Sequence, residues 1–174
     1  MKSRISILIA IIFIAASCKK TNNTANENYF VFGYEDAICA TCNSIHPTNM
    51  AFLLKNSAVY KLNDSLIYLP GSSLNLEDST DFTTTSAGSN AYSLSNTLMN
   101  NFPAFLLNSS DTSYGLQGSS FGNLVIAVKN NGVLRQWRLS PDTTSLPVQI
   151  RSFVAQLITT VDTLYPPYVN MNHR

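Results

Sequence analysis

Cys39 and Cys42 stand in a C-x-x-C arrangement inside the stretch from Asp36 to His46, and His46 follows the second cysteine by four positions. That spacing serves three chemistries: a thiol-disulfide redox pair, part of a metal site, or a structural disulfide. A thioredoxin-like redox pair needs its first cysteine at the start of a helix within a βαβ frame, where the helix dipole and amide groups stabilise a thiolate. The aromatic run Tyr29 to Tyr34 before the motif suits that frame, whereas His46-Pro47 and the hairpin-like pattern after it do not. Zinc needs four ligands, and Cys39, Cys42 and His46 supply three, with no second cysteine pair to complete them. Asn43 stands where C-x-x-C-H haem attachment needs histidine, so a c-type haem is excluded. A disulfide between Cys39 and Cys42 requires only an oxidising compartment, and it is the favoured reading. Closing so short a loop stabilises by less than the ~3 kcal/mol of a fifteen-residue loop. A redox pair, a metal site and free thiols remain the alternatives.

Other residue groupings carry less chemistry. Gly118 to Gly122 matches G-x-S-x-G around Ser120, but a nucleophile elbow needs a strand before it and a helix after it, and here a loop precedes and the apolar run Asn123 to Val128 follows. The histidines are His46 and His173, the latter in the C-terminal tail. Glu77, Asp78 and Asp81 cluster without the spacing or the glycine of a calcium loop, and read as a solvated loop. Glu35 and Asp36 adjoin the cysteine stretch and could tune it electrostatically, yet neighbours on a strand point to opposite faces and make a poor acid-base pair. No catalytic residue, metal or cofactor is expected.

The compartment follows from the N-terminus. Lys2 and Arg4 precede an apolar run from Ile7 to Ala16, then Ser17 and Cys18, the order of a secretion signal. The run is about half of the ~20 residues a helix needs to cross a bilayer. Cys18 directly after Ala15-Ala16-Ser17 resembles the bacterial lipobox, with Ala15 in place of the more usual leucine. That resemblance implies that Cys18 carries diacylglycerol, becomes the new N-terminus on cleavage and is acylated. Buried methylenes would then hold the chain on a leaflet without a spanning segment. Residues 1–17 are therefore expected as signal peptide, 18–28 as a polar tether, 29–165 as one domain and 166–174 as an extended tail.

Within that domain the elements can be read from periodicity. Tyr29 to Tyr34 is a strand, with Gly33 suggesting a bend or bulge near its end. Met50 to Asp64 splits into two apolar runs around Lys55-Asn56-Ser57, a hairpin. Ser65 to Leu69 suggests a further short strand, and Leu74 to Asn90 a long polar loop. From Ser93 to Leu107 the residues Leu94, Leu98, Met99, Phe102, Phe105 and Leu106 recur at helical spacing, with a break at Pro103 and a second short turn opening there. Asn123 to Leu139 is a second hairpin, its turn at Asn131-Gly132, residues that suit the positive φ of a type I′ turn. Trp137 shares a face with Val133, Arg135 and Leu139 and is expected in the core, although the pattern does not say which face is buried. Ile150, Phe153, Val154, Leu157, Ile158 and Val161 form the stripe of a final helix that should lie across the sheet. The fold class expected is α+β, an antiparallel sheet packed against one or two helices.

Charge excludes one class of partner. Among 174 residues, 11 Lys and Arg face 10 Asp and Glu, so there is no basic field for nucleic acid. The lipobox, the cysteine pair after the first strand, the tryptophan hairpin and the final amphipathic helix together resemble small exported lipoproteins of Bacteroidota. The resemblance covers most of the mature chain and implies a compartment and a layout, but no activity. The Asp-Ser/Thr-Leu/Thr tripeptides at Asp64, Asp78, Asp142 and Asp162 resemble the O-glycosylation pattern of that group. The closing hairpin and helix are similar in layout to small α+β protease inhibitors. These features lead to an expectation of a cell-envelope, outer-membrane-anchored lipoprotein whose non-catalytic domain binds a protein or glycan. The alternatives are an envelope thiol-disulfide protein using Cys39 and Cys42 and, third, a protease inhibitor.

Overall fold

The computed structural model describes residues 27–35, 49–67, 74, 76, 79–116 and 122–165. Strand β1, Tyr29–Glu35, carries large apolar side chains at consecutive positions because both of its faces are covered. Phe30 and Phe32 point to one side and Tyr29 and Val31 to the other, and all four are buried. β1 lies near the centre of a seven-stranded sheet ordered β4-β3-β2-β1-β6-β7-β5. Its neighbours are β2, Met50–Lys55, and β6, Asn123–Asn130, both antiparallel to it. β3, Ala58–Leu62, follows β2 through a two-residue turn in which Asn56 and Ser57 take φ of 50° and 58°. β7, Val133–Leu139, follows β6 through Asn131 and Gly132, at φ 50° and 79°. Both expected hairpins are thus present, each closed by a two-residue turn with positive φ at both positions.

Two stretches differ from their sequence reading. Ser65 to Leu69 does not begin as a strand, because Asp64–Ile67 forms a single helical turn, α1, with the Leu66 N–H donating to the Asn63 carbonyl at 2.9 Å. The polar stretch after Leu74 contains strand β4, Phe82–Ser86, which pairs with β3 at the sheet edge. β4 buries Phe82 and leaves Thr84 to Ser86 exposed, so its sequence shows threonine where an interior strand would show apolar residues. Gly33 also departs from expectation, since it sits in an unbroken ladder opposite Ala51 and Val125 instead of at a bulge. A Cβ there would lie 1.9 Å from the Met50 carbonyl oxygen, so the close approach of β2 demands glycine.

The helices after β4 cover one face, while Leu66 of α1 packs on the other. α2, Ser89–Asn100, starts after Gly88 and ends before Pro103, which lacks the N–H needed to continue it. The Pro103 carbonyl instead accepts from Leu106, opening the short helix α3, Ala104–Asn108. Leu98 and Leu106 are buried, whereas Met99 is 41% exposed and leaves the expected stripe. After β5, Ser113–Tyr114, the hairpin β6–β7 and a turn capped by Asp142, helix α4, Val148–Leu164, crosses the sheet with Ile150, Phe153, Val154, Leu157 and Val161 inward. Trp137 is 2% exposed and packs at a tilt against Phe102, centroids 5.4 Å apart, in the same aromatic cluster as Phe30, Phe32 and Phe52. The expected α+β class, an antiparallel sheet against helices, is the architecture observed, with the short β5–β7 pair the parallel exception.

The second face holds a smaller cluster of Val31, Ala51, Leu53, Val125 and Ala127, closed by Leu62, Phe82, Leu74 and Leu76. The Tyr29 hydroxyl donates to the Leu76 carbonyl at 2.7 Å, tying that segment to β1. Glu27 and Asn28, at the end of the expected tether, are already held: Glu27 pairs with Lys55, and Asn28 accepts from the Asn131 N–H at 2.8 Å. Among the described residues no helix is long and apolar enough to cross a membrane.

Candidate functional site

Cys18, Cys39, Cys42 and His46 lie outside the described residues, as do Asp36, Glu77, Asp78, Ser120, His173 and residues 166–174. The frame that holds the cysteine stretch is described at both ends. β1 stops at Glu35 and β2 starts at Met50, and the two strands are adjacent and antiparallel, with Tyr34 opposite Met50. The stretch therefore joins neighbouring antiparallel strands, as a hairpin connection does. A βαβ crossover joins parallel strands, so the frame around Cys39 and Cys42 differs from the one a thioredoxin-like centre uses.

Two buried polar groups and a half-buried tyrosine lie where this connection leaves the sheet. Glu35, on the second face, is 2% exposed and accepts from Arg138 Nε at 2.8 Å and Nη2 at 3.3 Å. It also accepts the Leu74 N–H at 2.9 Å, so one carboxylate joins β1, β7 and the segment before β4. Such charge-assisted contacts exceed neutral hydrogen bonds in strength. Asn49, fully buried, donates through Nδ2 to the Leu66 carbonyl at 3.0 Å. On the helix face Tyr34 is held neutral, its hydroxyl pKa pushed far up by burial and then by the Asp162 carboxylate of α4. Asp162 in turn is raised above the ordinary carboxylate value by partial loss of water. Nothing local in the sequence announces the Glu35–Arg138 pair, whose members are 103 residues apart. A charged residue at the end of so apolar a strand is the signal that could have pointed to it.

Of the acidic cluster, Asp81 is described, and its carbonyl accepts the Asn63 N–H at 2.9 Å. Among the described residues no three His, Cys, Asp or Glu side chains come together as metal ligands.

Two grooves mark the surface. One, about 400 Å³, runs between α2 and α4 past Ser93, Leu94, Thr97, Gln156 and Thr159. The hydroxyls of Thr97 and Thr159 donate to carbonyls of their own helices, at 2.9 and 3.0 Å, so they present carbon to the groove. The other, about 350 Å³, lies between Ser109–Thr112 and strand β7. β5 pairs with β7 only at Arg138 and Leu139. The Arg138 N–H donates outward to Thr112 at 2.8 Å, so by alternation the N–H and C=O groups of Gln136 and Leu134 also point away from β6, into this groove. Arg135 stands on its rim, donating to the Leu107 carbonyl and lying 6.0 Å from the centre of the Trp137 ring. Among the described residues no carboxylate pairs with it.

Neither a family model, nor a curated protein, nor a solved structure matches this chain.

Proposed function

We propose that this protein is a lipid-anchored domain of the cell envelope, held to the membrane through acylated Cys18, that acts by binding a protein or glycan partner and not by catalysis. The anchor reading is supported by the order of Lys2 and Arg4, the apolar run and Ala15-Ala16-Ser17-Cys18. The observation that carries the non-catalytic reading is the antiparallel pairing of β1 with β2 on either side of Cys39 and Cys42. A cysteine pair in a connection between neighbouring strands suits a staple, which would close the short Cys39–Cys42 loop within that connection.

Two measurements test this. Growth with an alkyne-labelled fatty acid should label the wild-type chain and leave Cys18→Ala unlabelled; equal labelling of both would remove the anchor at Cys18. Thiol alkylation and intact mass across glutathione buffers then give the potential of the Cys39–Cys42 pair. A bond that persists below about −300 mV is the expected result for a structural disulfide. Exchange between about −120 and −270 mV, the range of dedicated oxidoreductases, would instead make this an envelope thiol-disulfide protein.

A further inference from the structure

We propose that the open edge of β7, from Val133 to Trp137, binds an extended acidic segment of a partner protein as an added strand. This deepens the binding reading above by naming the surface and the chemistry of its partner. It does not depend on how the chain is anchored.

The two edges of the sheet differ in whether they can accept a strand. At the β4 edge the ladder is broken: Tyr60 pairs with Ser86 and Leu62 with Phe82, so β4 places three residues opposite Lys61 alone. The Lys61 N–H is taken by the Thr83 hydroxyl at 3.3 Å, and Thr83 itself donates to the Thr85 carbonyl. A strand that bulges in this way is a poor template, which is how natural sheets blunt an edge. Among the described residues β7 has no such defence. Its seven residues pair with β6 in unbroken register from Asn130↔Val133 to Leu124↔Leu139. β5 covers two of them, and among the described residues none accepts from the outward N–H groups of Leu134 and Gln136. Extended backbone laid in the groove beside Ser109 to Thr112 would supply those partners, and strand addition of this kind draws its affinity from main-chain hydrogen bonds.

Charge selects the occupant. Arg135 projects from the helix side of this edge, exposed and bound only to a main-chain carbonyl, so its guanidinium keeps donors for a carboxylate. Arg138, on the opposite side, is neutralised by Glu35 and leaves Arg135 as the charge that selects. A basic segment would meet Arg135 head on. A second copy of β7 pairing Leu134 with Gln136 would set Arg135 against Arg135, and like charges across a strand pair destabilise it. An acidic strand gains a charge-assisted bond at the rim in addition to the ladder.

The test uses the full-length protein in detergent and a fluorescent eight-residue peptide alternating glutamate and threonine, read by anisotropy. Binding is expected, weakening as salt is raised, with a lysine-threonine peptide bound about tenfold or more weakly. Arg135→Glu should reverse that order. The glutamate peptide methylated on alternate main-chain nitrogens should lose about tenfold or more in affinity, because it cannot complete the ladder. Gln136→Pro removes an outward N–H and leaves the bonds to β6, so it should lower affinity similarly while the circular dichroism spectrum stays that of the wild type. If that variant unfolds, the methylated peptide against the wild type decides. Equal binding of the two charge types, full binding of the methylated peptide, or no binding would each overturn the edge proposal. Label at Cys18 and the potential of the cysteine pair are unaffected by those outcomes, so failure here is distinct from failure of the envelope reading.

Discussion

The two faces of the sheet solve burial in different ways. The helix face is filled by large side chains, Phe30, Phe32, Phe52, Trp137 and Leu139, with Phe153 and Leu157 of α4 packed onto them. The second face sets Val31, Ala51, Val125 and Ala127, with Gly33 bare at its centre, beneath Leu53, Leu62 and Phe82. It also keeps a buried carboxylate, Glu35, held by Arg138 and the Leu74 N–H. The helix face therefore depends on volume, and the second face on close approach and on satisfied polar groups. The same strand, β1, contributes to both, and its register fixes which demand each residue meets.

Different substitutions should break the two faces. Trp137→Ala, which leaves a cavity against Phe102, should cost about 3–5 kcal/mol in urea unfolding, with the slope unchanged. A loss below about 1 kcal/mol would mean that the helix face does not rest on this ring. On the second face enlargement is the damaging change. Gly33→Ala must force β2 away from β1, because the new methyl would meet the Met50 carbonyl at 1.9 Å, and a cost of about 1–3 kcal/mol is expected. Hydrogen exchange should show the loss of protection concentrated in β1 and β2, and wild-type protection there would contradict the close approach. Glu35→Ala should cost about 1–3 kcal/mol, because it strands the Leu74 N–H and the half-buried Arg138. The double variant with Arg138→Met should recover part of that loss, and strict additivity would show the pair to be uncoupled.

The smallest effect concerns Asp162, at the helix-face rim. Its carboxyl is raised above 3.8 by partial loss of water, so the folded chain holds that proton more firmly than the unfolded chain. The associated stability is present in full below the unfolded value and is lost as pH rises through the folded one. Asp162→Asn should therefore melt slightly higher than the wild type at neutral pH, with the gap closing in acid below 3.8. A gap that widens toward acid would reverse the assignment.

What could be read from sequence was what short-range physics writes into neighbouring residues. Asn131-Gly132 marks a turn because few residues accept positive φ, and the same geometry at Asn56-Ser57 closes the other hairpin. Pro103 breaks a helix because it lacks a donor, and the stripe of α4 shows because one face is buried against the sheet. β4 was hidden since only Phe82 is buried and the remaining positions, threonines and a serine, match a loop as well as an exposed edge. The role of Gly33 depends on how close β2 comes, and Glu35 on an arginine 103 residues away, neither of which local pattern encodes. Of the site, the sequence showed the C-x-x-C motif and the strand before it, but not the antiparallel partner that defines its frame. The open edge of β7 was invisible for a similar reason: it exists because β5 covers two residues and stops.

The pairing of β1 with β6 also sets a clock on folding. Lys129 must meet Tyr29, and Asn131 must reach Asn28 across 103 residues, before the middle of the sheet exists. The hairpins β2–β3 and β6–β7 form from local contacts, but β1 finds only one of its two neighbours until about three quarters of the chain is in the same compartment. Sheets that depend on such distant partners fold slowly, because loop closure precedes any gain from the contacts. A chain threaded through a membrane from its N-terminus would meet this as a built-in delay. Its first strand could not be sealed into the core before Asn130 had emerged.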